Sequence, residues 1–292
     1  MNKVTEIAKI IKCVMDFIKE NNISVYDEEK HTGVVRRIFI REGRKTNQIM
    51  VVVSVNANEL IKSEILVEKL RQCSDNIKSI ILNINTKKTN LVLGDKNITL
   101  WGQEIIEDYL CGLKYEISPH SFFQINPNQA EKLYEIALDM ANINKDDTVM
   151  DIYCGIGTIS LCAAKKARRV IGVEIVEAAI ENAKENAIRN NIPNAEFYAK
   201  DAAQIVPKLI EKGERPSVVI LDPPRKGSDE ETLGAILLAK PRKIVYVSCN
   251  PATLARDLKF LCAKDYCIEK VVGVDMFPQT SHVECCVLLC RE

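Results

Sequence analysis

The sequence predicts an α/β protein in which a small α+β domain precedes a parallel, doubly wound sheet. A length of 292 residues is enough for two domains with well-filled cores. The first part of the chain pairs short β-rich runs with two helical segments. From Tyr115 onward, short β-branched runs alternate with helical segments, which is typical of a sheet covered by helices on both faces. We therefore expect a domain over residues 1–115 and a Rossmann-like domain over 116–292.

Composition narrows the class of protein. Apolar residues make up 47% of the chain and charged residues 27%, which indicates a globular protein rather than a disordered one. No apolar run approaches the roughly 20 residues that span a bilayer. The first 20 residues carry Lys, Glu and Asp throughout their apolar pattern, so they predict an amphipathic helix instead of a signal peptide. We expect a cytoplasmic protein without a membrane partner; nothing in the pattern indicates an oligomer, and a monomer is the simplest expectation.

The first domain is predicted as a mixed layer of helices and strands. Apolar residues at helical spacing predict a helix over 3–20, and two β-rich runs joined by a polar turn predict a hairpin. The expected elements are the helix 3–20, the hairpin strands 34–42 and 48–56, a helix over about 57–72, a strand over 79–85 and two short extended pieces ending near Leu100.

The second domain is predicted from a helix followed by repeated strand–helix pairs. The expected elements are the helix 127–142, five strands in TVMDIYC, RRVIGVEI, AEFYAKD, SVVILDPP and KIVYVSC, and two closing strands in EKVVGVDM and ECCVLLCRE. Ligands of such sheets bind beyond the carboxyl ends of the strands. The unusual residue groups of this half all fall at strand ends, so we expect one site there.

A glycine-rich turn and two acidic residues indicate a nucleoside ligand. The turn DIYCGIG (151–157) follows the first strand and opens a helix, but it is neither G-x-G-x-x-G nor a P-loop. Glu174 ends the next strand, 19 residues after Gly155, where such folds place the acid that binds ribose hydroxyls. Asp201, at the end of the third strand, can accept a hydrogen bond from an adenine amino group. Taken singly, each residue also suits a tight turn or a helix cap; together, with no Lys or Arg in the turn, they favour S-adenosylmethionine over NAD or ATP.

Three further motifs predict a covalent mechanism. The loop LDPPRKG places Asp222 at the mouth of the sheet, with Arg225 where the D-P-P-Y loop of amino-methylating enzymes has an aromatic residue. SCNPATLARD puts Cys249 after the fifth strand and near a helix N-terminus, whose dipole favours a thiolate. MFPQTSHVE brings Glu284 to the start of the last strand, at the same sheet edge. A thiolate and a carboxylate in one pocket suit nucleophilic attack with separate proton abstraction.

The chain has 11 cysteines but no C-x-x-C pair, so neither zinc nor iron–sulfur binding is predicted. The chain also lacks the short length and loop-rich sequence of a disulfide scaffold, which favours a reducing compartment. Apart from Cys249, and Cys154 in the glycine-rich turn, the cysteines are expected to be core or incidental thiols.

Six motifs in order along the chain resemble those of the RNA uracil-carbon-5 methyltransferase family, which includes 23S ribosomal RNA uridine and tRNA ribothymidine enzymes. They are FFQIN (122–126), DIYCGIGT, GVE, LDPPRKG, YVSCNPATLARD and MFPQTSHVE. The resemblance is strong over about 115–292 and loose over 30–115. It implies that Cys249 is the nucleophile that attacks carbon 6 of uracil and that Glu284 removes the carbon-5 proton. The residues expected to bind S-adenosylmethionine are Gln124, Tyr153, Gly155, Thr158, Glu174, Asp201 and Asp222.

Contacts with RNA are expected from local features, because the net charge is zero. Residues 30–45 carry six Lys or Arg and one acid, and Arg36 and Arg37 are expected to contact phosphate, although a solvated hairpin face is an equal alternative. Phe122 and Phe123 could stack on a base or pack in the core. Asp222 and Arg225 are expected beside the target uridine.

The resemblance also carries departures and alternatives. Family members typically have an N-terminal RNA-binding barrel, and many hold a four-iron, four-sulfur cluster; this chain is expected to lack both, as a natural short member or a truncated one. We expect 23S ribosomal RNA as the substrate, with tRNA as the alternative. Methylation of an exocyclic nitrogen through the DPPR loop, and a non-catalytic RNA-binding assembly factor, are the other interpretations.

Overall fold

The computed structural model describes residues 3–292, with side chains from Thr5 onward. Contacts divide the chain into two compact units. The first ends at Tyr109 and takes in residues 115–121, and the second comprises 110–114 and 122–292.

The first unit is a four-stranded sheet with two helices. Its elements are α1 (Lys3–Glu20), β1 (Val35–Gly43), β2 (Gln48–Val55), α2 (Ser63–Cys73), β3 (Ile77–Ile84) and β4 (Lys96–Gly102). The strands lie in the order β1-β2-β3-β4, with β2 and β3 parallel and the outer pairs antiparallel. The core joins apolar faces of both helices to the sheet through residues such as Phe17, Leu66 and Val51. Helix α2 begins six residues later than expected, because Lys62 has a left-handed backbone (φ 58°) that a right-handed helix cannot include.

A short ribbon of β5 (Ile106–Leu110) and β6 (Leu113–Ile117) follows. The second unit then contains α3 (Pro127–Ala141), β7 (Thr148–Ile152), α4 (Thr158–Ala164), β8 (Arg169–Glu174), α5 (Glu177–Arg189), β9 (Ala195–Ala199), α6 (Ala202–Glu211), β10 (Val218–Leu221), α7 (Glu230–Leu238), β11 (Lys243–Ser248), α8 (Pro251–Cys262), β12 (Tyr266–Val274) and β13 (Glu284–Arg291).

The seven strands of this unit form one sheet in the order β12-β13-β11-β10-β7-β8-β9. The predicted fold class, a Rossmann-like sheet after a small α+β region, is confirmed. The expectation of a wholly parallel sheet is wrong at one edge, because β13 runs antiparallel to both β11 and β12. Only residues 275–283 connect β12 to β13, and a parallel connection needs a crossover of a dozen or more residues.

This topology creates the site. From β7 the chain proceeds to β8 and β9 on one side and then returns to β10 and β11 on the other, so the strand order reverses between β7 and β10. Open α/β sheets bind ligands in the crevice at such a point. Because β13 is antiparallel, its first residue lies at the edge where the parallel strands end. Residues such as Met150, Leu221 and Tyr246, all fully buried, fix the strands beneath this crevice.

Candidate active site

A cavity of about 640 Å³ lies at the carboxyl edge of the sheet, within the size range of small-molecule sites. Every predicted site residue of the second unit lines this cavity. These residues are Phe123, Gln124, Tyr153, Gly155, Thr158, Glu174, Asp201, Asp222, Arg225, Cys249 and Glu284.

The glycine-rich turn opens backbone to this cavity. Gly155 has a left-handed conformation (φ 54°), and no atom lies within 4 Å of the position that a Cβ would occupy. The neighbouring Tyr153 is also left-handed (φ 66°). Glu174 stabilises the turn, since its carboxylate accepts hydrogen bonds from Gly155 N at 3.3 Å and Val176 N at 3.0 Å. A ligand can therefore lie directly against the backbone of Gly155 beside the Glu174 carboxylate.

Asp151 lies beneath the turn and is completely buried. Its Oδ2 accepts a hydrogen bond from Ser160 Oγ at 2.5 Å, whereas Oδ1 has no partner in the described part of the chain. Burial raises the pKa of Asp151 to about 7, against the opposing effect of Ser160 and with a smaller contribution from Glu174.

Three further predicted ligand contacts have structural partners of their own. Asp201 does not end a strand: β9 stops at Ala199, and the Asp201 carboxylate caps α6 by accepting from Ala203 N at 2.8 Å. Thr158 begins α4 and lies 3.2 Å from the hydroxyl of the buried Tyr134. Gln124 also bonds that hydroxyl, whose pKa is raised mainly by burial. Asp201, Thr158 and Gln124 are thus held in fixed positions around the cavity.

The other side of the cavity is lined by the thiol of Cys249 and by the carboxyl groups of Asp222 and Glu284. Asp222 directly follows β10, Cys249 follows β11 and Glu284 begins β13. Ser248 pairs with Cys285 across the antiparallel β11–β13 ladder, so the next residues outward are Cys249 and Glu284. The sheet register itself places this thiol and this carboxylate opposite each other.

Burial and like charge shift the ionisation of all three groups. The pKa of Asp222 rises to about 7, chiefly through burial and then through the charges of Glu284 and Asp151. Burial also raises the pKa of Glu284, which the Arg225 charge partly offsets. The expectation that its surroundings favour the thiolate of Cys249 is not met: burial and the charges of Glu284 and Asp222 raise its pKa, and Arg225 partly offsets them.

Sequence reasoning missed the network that anchors the loops carrying Asp222 and Cys249. Asp257 on α8 is buried, and its Oδ2 accepts from Tyr246 Oη at 2.5 Å and from Ser228 N at 2.8 Å. Ser228 Oγ in turn lies 2.9 Å from Tyr153 Oη. The Asp257 carboxylate therefore ties α8 to β11 and to the loop after Asp222. The sequence does contain a sign of this network, because Asp257 lies on the apolar face of α8, between Leu254 and Leu261.

The capping of α8 was predictable and is specific. Asn250 caps the helix by accepting from Ala252 N at 3.1 Å, and Pro251 occupies the first turn. The Asn250 amide also donates to the Arg225 carbonyl at 3.1 Å. The cap thus connects the Cys249 loop to the loop that carries Arg225.

The predicted phosphate contact of Arg36 is contradicted. Its side chain is buried, donates to the carbonyls of Asn85, Lys87 and Thr89 at 2.8–2.9 Å, and stacks 4.3 Å from the Tyr26 ring. Such a guanidinium stabilises the loop after β3 and is not available to RNA. Arg36 lies at a β-bulge, where the pairing of β1 with β2 shifts between Val35 and Arg37, and its side chain is buried.

The other predicted RNA contacts keep exposed surface. Arg37 is about half exposed but pairs with Glu28 at 2.7 Å. Phe122 is 72% exposed and Phe123 is half-buried, and both line the cavity of the second unit. Core packing is therefore excluded for Phe122, while Arg37 and Phe123 remain predictions.

All eleven cysteines are free thiols. Across residues 3–292, no three His, Cys, Asp or Glu side chains are grouped so that they could hold a metal ion. Over the same range, no helix combines the length and hydrophobicity of a membrane span.

Comparison with known proteins places the chain in a family. The family model described as tRNA (Uracil-5-)-methyltransferase matches residues 62–292. An "uncharacterized RNA methyltransferase" of Clostridium tetani is 48% identical over 281 residues, covering 96% of this chain and 61% of the relative. A second, from Clostridium acetobutylicum, is 49% identical, with 97% and 62% covered. This chain thus spans about three fifths of the length of these curated relatives.

Solved structures with the same fold support this family assignment. The crystal structure of Pyrococcus abyssi tRNA (uracil-54, C5)-methyltransferase in complex with S-adenosyl-L-homocysteine superposes with a TM-score of 0.80 at 33% identity, covering 96% of this chain and 66% of that one. Trm5b from the same organism, at 14% identity and a TM-score of 0.57, shares the fold alone. The fold is that of S-adenosylmethionine-dependent methyltransferases. The chain belongs to the tRNA (uracil-5-)-methyltransferase family.

Proposed function

We propose that this chain methylates carbon 5 of a uridine in structured RNA, with S-adenosylmethionine as the methyl donor. One observation carries the proposal: the thiol of Cys249 and the carboxylate of Glu284 face the same cavity as the turn at Gly155 and the carboxylate of Glu174. Family membership and the S-adenosyl-L-homocysteine bound by the Pyrococcus abyssi relative support it.

The residues present fit S-adenosylmethionine. The open backbone at Gly155 admits a ligand, Glu174 offers a carboxylate to ribose hydroxyls, and residues 151–158 contain no Lys or Arg to bind phosphate. When bound, S-adenosylmethionine supplies an electrophilic methyl group. We propose that it is held by Gln124, Tyr153, Gly155, Thr158, Glu174, Asp201 and Asp222.

The chain's own residues then divide the work on uracil. Carbon 5 of uracil is a poor nucleophile until the Cys249 thiolate adds to carbon 6 and pushes electron density onto it. Glu284 removes the proton from carbon 5 after methylation, and elimination of Cys249 restores the double bond. Burial raises the pKa of Glu284, which suits a base that works near neutral pH. Asp222, with a pKa of about 7, can donate a hydrogen bond while it is protonated. We therefore propose that it lies between the uracil and the cofactor and contacts both.

We propose 23S ribosomal RNA as the RNA substrate, from the motif resemblance, and tRNA as the second candidate. The tRNA alternative is supported by the family description and by the name of the Pyrococcus abyssi relative. Arg37, Phe123 and Arg225 are the proposed RNA contacts, with Phe123 and Arg225 at the cavity. A cytoplasmic location follows from this choice of substrate. Methyl transfer to each purified RNA, followed by nucleoside mass spectrometry, separates the two candidates.

A trapping experiment tests the mechanism. With S-adenosylmethionine and RNA containing 5-fluorouridine, the fluorine cannot be abstracted, so the protein should stay covalently attached to RNA on a denaturing gel. Cys249→Ala should abolish the adduct, whereas Cys285→Ala, which removes a half-buried thiol next to Glu284, should retain it. With unmodified RNA, Glu284→Gln should accumulate a methylated adduct.

Two outcomes would reject the proposal in different ways. Methyl transfer that survives Cys249→Ala would favour an exocyclic nitrogen as the acceptor. Binding of RNA and S-adenosylmethionine without transfer to any RNA would favour an assembly factor.

A further inference from the structure

Arg225 connects the three loops that meet at the thiol. Its carbonyl accepts hydrogen bonds from the Asn250 amide at 3.1 Å and from Thr253 Oγ1 at 3.3 Å, both in the segment that follows Cys249. Its guanidinium reaches the loop between β12 and β13, where Nη2 lies 2.9 Å from His282 Nδ1. The backbone of Arg225 is therefore fixed by the Cys249 segment, and its side chain by the segment that leads into Glu284.

The direction of the second bond follows from its chemistry. A guanidinium only donates, so Nδ1 of His282 accepts this hydrogen bond. Both side chains are exposed, and Arg225 lines the cavity. An exposed arginine adopts many rotamers unless a partner fixes one. His282 is that partner in this structure.

The position of Arg225 matters because of the charges around the thiol. Cys249 faces the carboxylates of Glu284 and Asp222, and both disfavour its thiolate. Arg225 opposes them by its charge and by a side-chain hydrogen bond, and it acts on Glu284 in the same sense. Both effects fall steeply with distance and with solvent screening. A guanidinium that swings away from the cavity would lose them.

We propose that His282 is a positioning residue: it holds the Arg225 guanidinium at the cavity, beside Cys249 and Glu284. The importance of this contact for catalysis rests on the proposed function, but the position of Arg225 and its effect on Cys249 can be measured in the protein without RNA. Its failure is therefore distinguishable from a failure of the proposed function.

The test measures ionisation of Cys249 without RNA. The intact protein is alkylated with iodoacetamide for short times between pH 6 and 10, and the tryptic peptide 244–256, whose only cysteine is Cys249, is quantified by mass spectrometry. Below the thiol pKa the rate follows the thiolate fraction, so a rise of one unit slows alkylation about tenfold. We expect about tenfold slower alkylation at pH 7 for Arg225→Met and about fivefold for His282→Leu.

Three comparisons separate positioning from a general structural effect. His282→Asn keeps an acceptor near the Nδ1 position and should restore the profile to within about twofold of the unaltered protein. Lys259→Met removes a positive charge from the same helix as the Cys249 segment, away from the cavity, and should leave the profile unchanged. In an Arg225→Met background, His282→Leu should add nothing, because it acts through Arg225.

The proposal is overturned if His282→Leu leaves the pH profile of Cys249 at that of the unaltered protein. It is equally overturned if His282→Leu slows alkylation further when Arg225 is already absent. Circular dichroism of each variant establishes that the fold is retained, and the rescue by His282→Asn is a result that a merely structural role would not give.

Discussion

Removing the buried carboxylate of Asp257 should destabilise the protein strongly and loosen the active-site loops. In Asp257→Ala, the Tyr246 hydroxyl and the Ser228 amide both lose an acceptor in places where their residues are fully or almost fully buried. A buried group left without its partner costs about 1–3 kcal/mol. The ion pair with Arg256 adds little, because that side chain is 58% exposed and solvent screens its charge. We expect the free energy of unfolding to fall by about 3–5 kcal/mol.

Urea unfolding followed by circular dichroism measures this loss, and two variants sharpen it. Asp257→Asn keeps the volume and one acceptor oxygen, so it should cost about half as much. Tyr246→Phe removes the hydroxyl that Asp257→Ala would strand, so the double variant should be about 1–2 kcal/mol more stable than the sum of the single losses predicts. Additive losses, or a cost below about 1 kcal/mol for Asp257→Ala, would refute the network.

Three further predictions concern the cofactor turn, the buried acid and the first unit. Gly155→Ala should abolish S-adenosylmethionine binding in calorimetry at a stability cost of about 1 kcal/mol, whereas Gly213→Ala, with the same left-handed strain and open space, should keep binding intact. The folded-state pKa of Asp222 is about 7, above its ordinary value of 3.8, so its contribution to stability is present below pH 4 and is lost as the pH rises towards 7. The urea midpoint of unfolding should therefore fall less between pH 5 and 8 in Asp222→Asn than in the unaltered protein. An equal fall in both proteins would contradict the raised pKa. Arg36→Met should lower the unfolding free energy by about 3 kcal/mol, read from the fluorescence of the sole tryptophan in the first unit, and Arg37→Met by less than about 1 kcal/mol; equal losses would contradict the assigned contacts.

Periodicity and motif position predicted most of the second unit. The five parallel strands and their helices follow from β-branched runs separated by amphipathic segments, and residues at strand ends must converge once the strands are parallel. This is why Glu174, Asp222 and Cys249 could be assigned to one site without a structure. The antiparallel direction of β13 was also accessible in principle, because nine residues are too few for a crossover.

What could not be predicted depends on side-chain direction and on distant partners. Arg36 and Arg37 are adjacent in sequence and alike in charge, yet one is buried under three carbonyls and the other reaches solvent. Regular alternation along a strand would put them on opposite faces without saying which is buried, and here a β-bulge between Val35 and Arg37 interrupts the alternation, so that Val35 and Arg36 are both buried. The pKa of Cys249 likewise depends on its burial and on Glu284 and Asp222, which approach it only after folding.

The antiparallel ladder between β11 and β13 makes strand register a determinant of reactivity. Ser248 pairs with Cys285, and that single pairing decides that Glu284 meets Cys249. A slip of one residue would turn every β13 side chain to the opposite face, carrying Glu284 out of the cavity and Cys285 into its place. Cys286, Val287, Leu288 and Leu289 are all buried, so a slip would force each side chain into space packed around a neighbour of different shape. The packing of these four residues therefore fixes which side chain of β13 lies beside Cys249.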